Sequence, residues 1–124
     1  MARTGSKERS PESELPLMSA TFEILMALVD GERHGYAIMK EIEERTRGSV
    51  RLGPGTLYGS LKRLLEGGLV DEVGARADPA MGDERRRYYR ITRFGLAVAR
   101  AEAGRLDALV RTARRKKLLG MRTA

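Results

Sequence analysis

Arg85, Arg86, Arg87, Arg90 and Arg93 put five guanidinium groups into nine residues with no acid among them. Guanidinium is a permanent cation whose planar fork of donors matches phosphate. A second set of donors begins at Pro54: Thr56, Tyr58, Ser60, Lys62 and Arg63, with Gly55 and Gly59 open to close backbone approach. Tyr36 adds a hydroxyl at the start of the preceding segment, and a helix N-terminus favours phosphate. Bond-making chemistry has little support. The chain has no cysteine and one histidine, His34, so thiolate nucleophiles and thiolate metal sites are excluded and one imidazole cannot build a metal site. Gly53-Pro54-Gly55 lacks the lysine and the preceding strand of a phosphate-cradling loop. The chemistry on offer is capture of a polyanion by charge and hydrogen bonding. No catalytic residue, metal or cofactor is expected.

Composition agrees. Across 124 residues, 24 Lys and Arg outweigh 17 Asp and Glu, a net charge of +7 that favours nucleic acid as partner. The length suits one domain with a modest core, for which oligomerisation is a ready way to bury more surface. No apolar run approaches the ~20 residues of a membrane span. The N-terminus lacks the apolar core of a signal peptide, so a soluble cytoplasmic protein is expected.

These donors need a scaffold, and its elements are readable in order. Residues 1–14 are polar and read as a disordered arm. Leu17 to Val29 is apolar nearly all round, a helix that must be covered on more than one side, the second cover expected from another subunit. Tyr36 to Thr46 is a helix with one partly apolar face, ended by Gly48. The connector Arg47 to Gly53 contains Val50 and Leu52, candidates for a short strand. Pro54 fits the first turn of the next helix, whose Leu57, Leu61, Leu64 and Leu65 recur at helical spacing before Gly67-Gly68 stops it. Leu69–Val73 and Arg87–Ile91 read as strands flanking a long hairpin, Gly74 to Arg86. Thr92 is a helix cap, and the helix it opens runs to about Leu118. Gly95 and Gly104 are expected to weaken that helix by ~1 kcal/mol each relative to Ala. Leu96, Ala99, Ala103, Leu106, Val110 and Ala113 alternate by 3 and 4, the spacing of a coiled-coil seam, while Phe94, Val98 and Ala101 lie on another face.

Two helices around a broken turn, then a long hairpin, is the order of a winged helix-turn-helix. The fold class is mainly α with a small β-wing (α+β), extended by a long C-terminal dimerisation helix. The division expected is a disordered arm over 1–14, a winged helix-turn-helix over 15–91 and the dimerisation helix and tail over 92–124.

Four segments carry a closer likeness: His34-Gly35-Tyr36, Pro54-Gly55-Thr56-Leu57-Tyr58, Leu69-Val70 after a glycine pair, and Arg87-Tyr88-Tyr89-Arg90-Ile91-Thr92. As an ordered set spanning residues 15–118 they resemble the PadR family of winged-helix transcriptional regulators, in its smaller branch with a single C-terminal helix. The resemblance implies a homodimer on double-stranded DNA, usually as a repressor. Gly53 stands where the family often has Ser, so side-chain capping of the recognition helix is lost. Arg93 stands where the family commonly has Glu or another polar residue, which adds positive charge beside the wing. Some relatives hold ligands between paired tryptophans, and this chain has no Trp.

The residues expected on DNA are Tyr36, Gly55, Thr56, Tyr58, Lys62, Arg63, Arg85, Arg86 and Arg90. Two-fold symmetry predicts an inverted-repeat operator. Tyr58 competes with a reading as a core aromatic, and Tyr36 with packing on Leu57 or Leu61. His34 reads as a turn residue or backbone contact. Arg111, Arg114, Arg115, Lys116 and Lys117 read first as complement to a helix dipole. The expected dimer surface is Leu17, Phe22, Leu25, Leu96, Ala99, Ala103, Leu106, Val110 and Ala113. A small hydrophobic effector would find Leu17, Phe22, Met26, Leu106 and Val110 there, each with core packing as its competing use. The alternative function is a winged-helix protein-interaction module with incidental DNA affinity.

Overall fold

The computed structural model describes residues 9–77 and 85–120. A short 3-10 turn, Pro11–Glu14, precedes α1 (Ser19–Val29), β1 (Arg33–His34), α2 (Gly35–Arg45), α3 (Pro54–Glu66), β2 (Val70–Ala77), β3 (Arg85–Ile91) and α4 (Arg93–Arg115). The three strands form one antiparallel sheet in the order β1-β3-β2, with Val70 opposite Ile91 and Arg33 opposite Tyr89. Four helices with a small sheet make the α+β winged-helix architecture that the sequence predicts.

The core lies around α1. Helices α2, α3 and α4 and strand β3 all pack on it, and Ile24, Leu25, Ala27 and Leu28 are buried. The second cover anticipated from another subunit is thus supplied within the chain. Two residues expected at a dimer surface are spent here instead: Leu25 is 0% exposed and Ala99 is 6% exposed. Each large apolar side chain so buried contributes about 1.5–3 kcal/mol.

Helix ends follow local chemistry. Pro54 opens α3, and Gly53 before it gives no side-chain cap. Thr92 caps α4 by accepting from the Gly95 N–H at 2.9 Å and donating to the Gly68 carbonyl at 2.7 Å. Its own N–H donates to the Leu69 carbonyl at 3.0 Å, tying the start of α4 to the end of α3.

Three further expectations need correction. The arm is not disordered as far as residue 14. Ser10 caps the 3-10 turn, and Arg9 donates to the Gly67 carbonyl at 2.6 Å, pairs with Glu14 at 2.9 Å and lies 4.7 Å from the Phe94 ring centroid. Residues 1–8 lie outside the described residues. Val50 and Leu52 form no strand. Thr46 Oγ1 accepts from the Val50 N–H at 3.1 Å and donates to the Ile42 carbonyl at 2.8 Å, which folds the connector back onto α2. The strands β2 and β3 are longer than expected, because each continues past a bulge between Glu72 and Ala75 that Gly74 (φ +111°) allows. The wing tip, residues 78–84, lies outside the described residues.

Candidate nucleic-acid interface

The start of α2, the first turns of α3 and the middle of β3 meet at one corner. His34 ends β1 and turns its imidazole inward, where Nδ1 accepts from the Ala37 N–H at 3.1 Å and so caps α2. The ring is buried, stacked with Tyr36 (6.4 Å between centroids) and met edge-on by Tyr88 (5.3 Å). His34 thus serves as the side-chain cap of α2. Gly35 follows, buried beneath Tyr58: a Cβ on Gly35 would collide with the Tyr58 hydroxyl and stand 2.7 Å from its Cζ. The missing side chain lets Tyr58 reach from α3 to the N-terminus of α2.

Tyr36 and Tyr58 are 47% and 45% exposed, so neither is a core aromatic. That place belongs to Tyr89, 5% exposed, whose phenol is pushed up from its usual pKa chiefly by burial, with Glu72 nearby adding to it. Arg86 is half-buried, its guanidinium carbon 6.0 Å from the Tyr36 ring centroid. Gly55 and Thr56 are exposed on the uncapped first turn of α3, with nothing within 4 Å of a Cβ built on Gly55. Lys62 and Arg63 are exposed farther along, and Arg63 donates to Ser60 Oγ at 3.4 Å. The structure thus brings Tyr36, Tyr58 and Arg86 together and leaves Gly55, Thr56, Lys62 and Arg63 along one accessible helix.

The arginine cluster is more dispersed than its sequence spacing implies. Arg90 sits at the base of the wing and pairs with Asp71 at 3.4 Å, and Arg87 pairs with Glu72 at 3.7 Å. The two pairs join β2 to β3 on opposite faces of the sheet, both between solvent-exposed side chains, where such bridges are worth about 0–1 kcal/mol. Asp71 and Glu72 are far from the arginines in sequence, and only the strand register shows their partners. The side chain of Arg85 lies outside the described residues.

The face of α4 that covers the core through Gly95, Val98, Ala99 and Glu102 continues along Leu106, Leu109 and Ala113. Of the expected seam, Ala99 is spent on this core-covering face, which then runs past the core, while Leu96, Ala103 and Val110 lie beside it. Leu109 and Val110 are 54% and 42% exposed, Ala103 is exposed, and Leu17, Phe22, Leu96, Leu106 and Ala113 are half-buried. Leu109, absent from the expected seam, is among the barest apolar groups on this face. Glu102 was also not singled out by sequence spacing. Its buried carboxylate accepts from Arg105 at 2.9 and 2.7 Å and from the Leu17 N–H at 3.4 Å, and the Arg105 guanidinium holds it below the usual carboxylate pKa. An i,i+3 Glu–Arg pair could have been found by helical spacing, but nothing in the sequence marks this one as buried.

Among the described residues there is no group of three or more metal-ligating side chains, and no helix is long and apolar enough to cross a membrane.

Comparison with known proteins adds three findings. The model of the transcriptional regulator PadR-like family matches residues 24–101. An uncharacterized protein X of Lysinibacillus sphaericus is 35% identical over 74 residues, 60% of this chain and 65% of that protein. The chain spans less than two thirds of the length of the curated relatives it matches, 11% of one and 65% of another. Among solved structures, a transcriptional regulator from Clostridium thermocellum is 25% identical with a TM-score of 0.64, over 82% of this chain and 92% of that one. Bacillus subtilis PadR, solved in complex with operator DNA, shares the fold at 20% identity and a TM-score of 0.59, over 68% of this chain and 47% of that one. The family match covers α1 from Ile24 through the first turns of α4, the whole scaffold of the corner built on Gly35, and the chain belongs to the PadR-like family of transcriptional regulators.

Proposed function

We propose that the chain is a homodimeric, sequence-specific DNA-binding regulator acting as a repressor. Helix α3 enters the major groove, and the β2–β3 wing lies along the adjacent backbone or minor groove. The observation that carries this reading is the corner at Gly35: two half-exposed tyrosines and Arg86 stand beside an α3 N-terminus whose backbone donors no side chain occupies. Family membership supports it, as does the relative solved on operator DNA. Tyr36, Gly55, Thr56, Tyr58, Lys62, Arg63 and Arg86 are the contacts proposed, with Arg90 available once Asp71 releases it and Arg85 carried from the sequence. The exposed helix carries few long polar side chains, so shape and backbone contacts share the specificity with base edges.

Residues 15–91 form the reading head and 92–124 the pairing segment. The uncovered run Leu106–Ala113 pairs with its copy, and Leu17, Phe22 and Leu96 flank it. The test is selection of bound duplexes from a random pool, followed by titration at two salt concentrations. The expected site is an inverted repeat with half-sites ~34–36 Å apart, bound far more weakly at high salt. A chain with no affinity for duplex in dilute buffer overturns the reading.

A further inference from the structure

Helix α2 ends on two successive left-handed residues, Arg47 (φ +53°) and Gly48 (φ +81°). Glycine takes that conformation without penalty, whereas the Cβ of arginine crowds the following carbonyl. An arginine there brings a side chain the backbone would rather lack. Between α2 and the connector to α3 lies a groove of about 470 Å³. Tyr36, Met39 and Leu52 form its apolar wall, and Lys40, Arg47 and Arg51 stand on its rim.

The rim is held by weak contacts. Arg51 pairs with Glu43 at 3.6 Å, between side chains 72% and 48% exposed, and Lys40 pairs with Glu44 at 3.5 Å. Arg51 lies back over Gly48, where an added Cβ would stand 3.5 Å from its Nη2. Glu43 and Glu44 line the same groove and take Arg51 and Lys40, while Arg47 has no ion pair among the described residues. Location gives the rim its meaning. Tyr36 belongs both to the groove and to the corner over α3, and Arg51 stands two residues before Gly53, the residue that fails to cap α3.

We propose that Arg47 and Arg51 form a second phosphate anchor, gripping the DNA backbone beside the stretch read by α3. This rests on the DNA-binding reading above. Glu43 holds Arg51 folded back in the free protein, and a phosphate takes it over. The exchange is favourable because an exposed ion pair is worth little in water, whereas a phosphate accepts guanidinium bidentately and releases condensed counterions.

The experiment measures affinity against salt for the full chain on its selected duplex, comparing the native protein with Arg47→Gly, Arg51→Ala and Glu43→Gln. Each arginine variant should reduce the slope of log K against log salt by about 1, and weaken binding about eightfold at 0.1 M salt, equally on all sequences. Glu43→Gln should tighten binding. Arg47→Gly should also raise the melting temperature, because it relieves the left-handed strain, so stability and affinity move in opposite directions. Unchanged slopes in both arginine variants, with the native protein still binding steeply with salt, would overturn the anchor and leave the role of α3 intact. Weaker binding at an unaltered slope would also overturn it, since the arginines would then act through the fold. A native protein that ignores duplex DNA removes both readings.

Discussion

Two glycines in α4 should respond to alanine with opposite signs. Gly104 is exposed on the side of the helix away from the core, and a Cβ there meets nothing within 4 Å. Gly104→Ala therefore gains the full helix-propensity difference, about 1 kcal/mol. Gly95 has the same intrinsic preference, yet a Cβ there would run into the Leu69 carbonyl oxygen and stand 2.9 Å from Ile91 Cγ1. The obstruction is backbone, so no rotamer change relieves it and α4 must lift from the sheet. Overpacking of that kind costs about 1–3 kcal/mol. The same carbonyl accepts from the Thr92 N–H at 3.0 Å, and losing that bond adds about 1 kcal/mol. Taking the upper half of the overpacking range, as a backbone clash warrants, and crediting the propensity gain leaves Gly95→Ala about 2–3 kcal/mol less stable. At roughly 4 °C per kcal/mol for a domain of this size, Gly104→Ala should melt ~4 °C higher and Gly95→Ala ~8–12 °C lower. Thermal denaturation followed by circular dichroism at one fixed protein concentration reads both, since the midpoint of a dimer depends on concentration. A Gly95→Ala variant that melts with or above the native protein would refute the close approach of α4 to Leu69 and Ile91.

Three further outcomes follow from the same geometry. Replacing Arg86 and Arg90 together with alanine should flatten the salt dependence of DNA binding by about 2 in slope, read by fluorescence anisotropy across a salt series; an unaltered slope removes the wing from the interface. Leu109→Asp puts a charge on the uncovered stretch of α4 without touching the intrachain core, and sedimentation should show monomers with at least tenfold weaker operator affinity; persisting dimers place the pairing surface elsewhere. Glu102 has a folded-state pKa below its unfolded value, so its stabilisation is present above the unfolded value of about 4.3 and fades as pH falls through the lower folded one. Glu102→Gln should lower the melting temperature at neutral pH and make the acid side of the stability profile shallower, and an unchanged acid side would mean that this carboxylate carries none of it.

Legibility from sequence tracked the range of the interaction. Helix α3 was readable because its signals are local: Pro54 at the first turn, leucines at helical spacing and a glycine pair at the end. The Thr92 cap was readable for the same reason. Strand β1 is two residues long and exists only because β3 lies beside it, so no pattern in Arg33-His34 announces it. Arg9 sits in a stretch whose composition argues for disorder, and it is ordered by a carbonyl at Gly67 and a ring at Phe94 that are remote in sequence. The site divided likewise. The tyrosines and the arginine run were visible as residue types, but their meeting at Gly35, and the pairing of Arg90 with Asp71, depend on register and crossing geometry. Leu25 and Ala99 went to the wrong surface because periodicity tells which face is apolar, not whether the cover comes from within the chain or from a second copy.

The single continuous face of α4 bears on how pairing and reading could be linked. Through Ala99 and Glu102 the face is fixed to the chain's own α1 and to the segment leading into it, and beyond Glu102 its cover thins, Leu106 being half-buried and Leu109 54% exposed. A helix gripped at one end by its own domain and at the other by a copy transmits rotation, because its first turn cannot slip. Thr92 binds both the Gly68 and Leu69 carbonyls, and Gly95 leaves no room between α4 and the Leu69 carbonyl. Gly68 and Leu69 directly follow the end of α3, where Arg9 ties the Gly67 carbonyl to the Phe94 ring of α4. In the proposed dimer, a change in the angle at which two α4 helices cross would therefore swing each α3 as a rigid body and alter the spacing of the reading heads. An effector between the subunits would act by favouring one crossing angle, and only to the extent that it binds the two angles with different affinity.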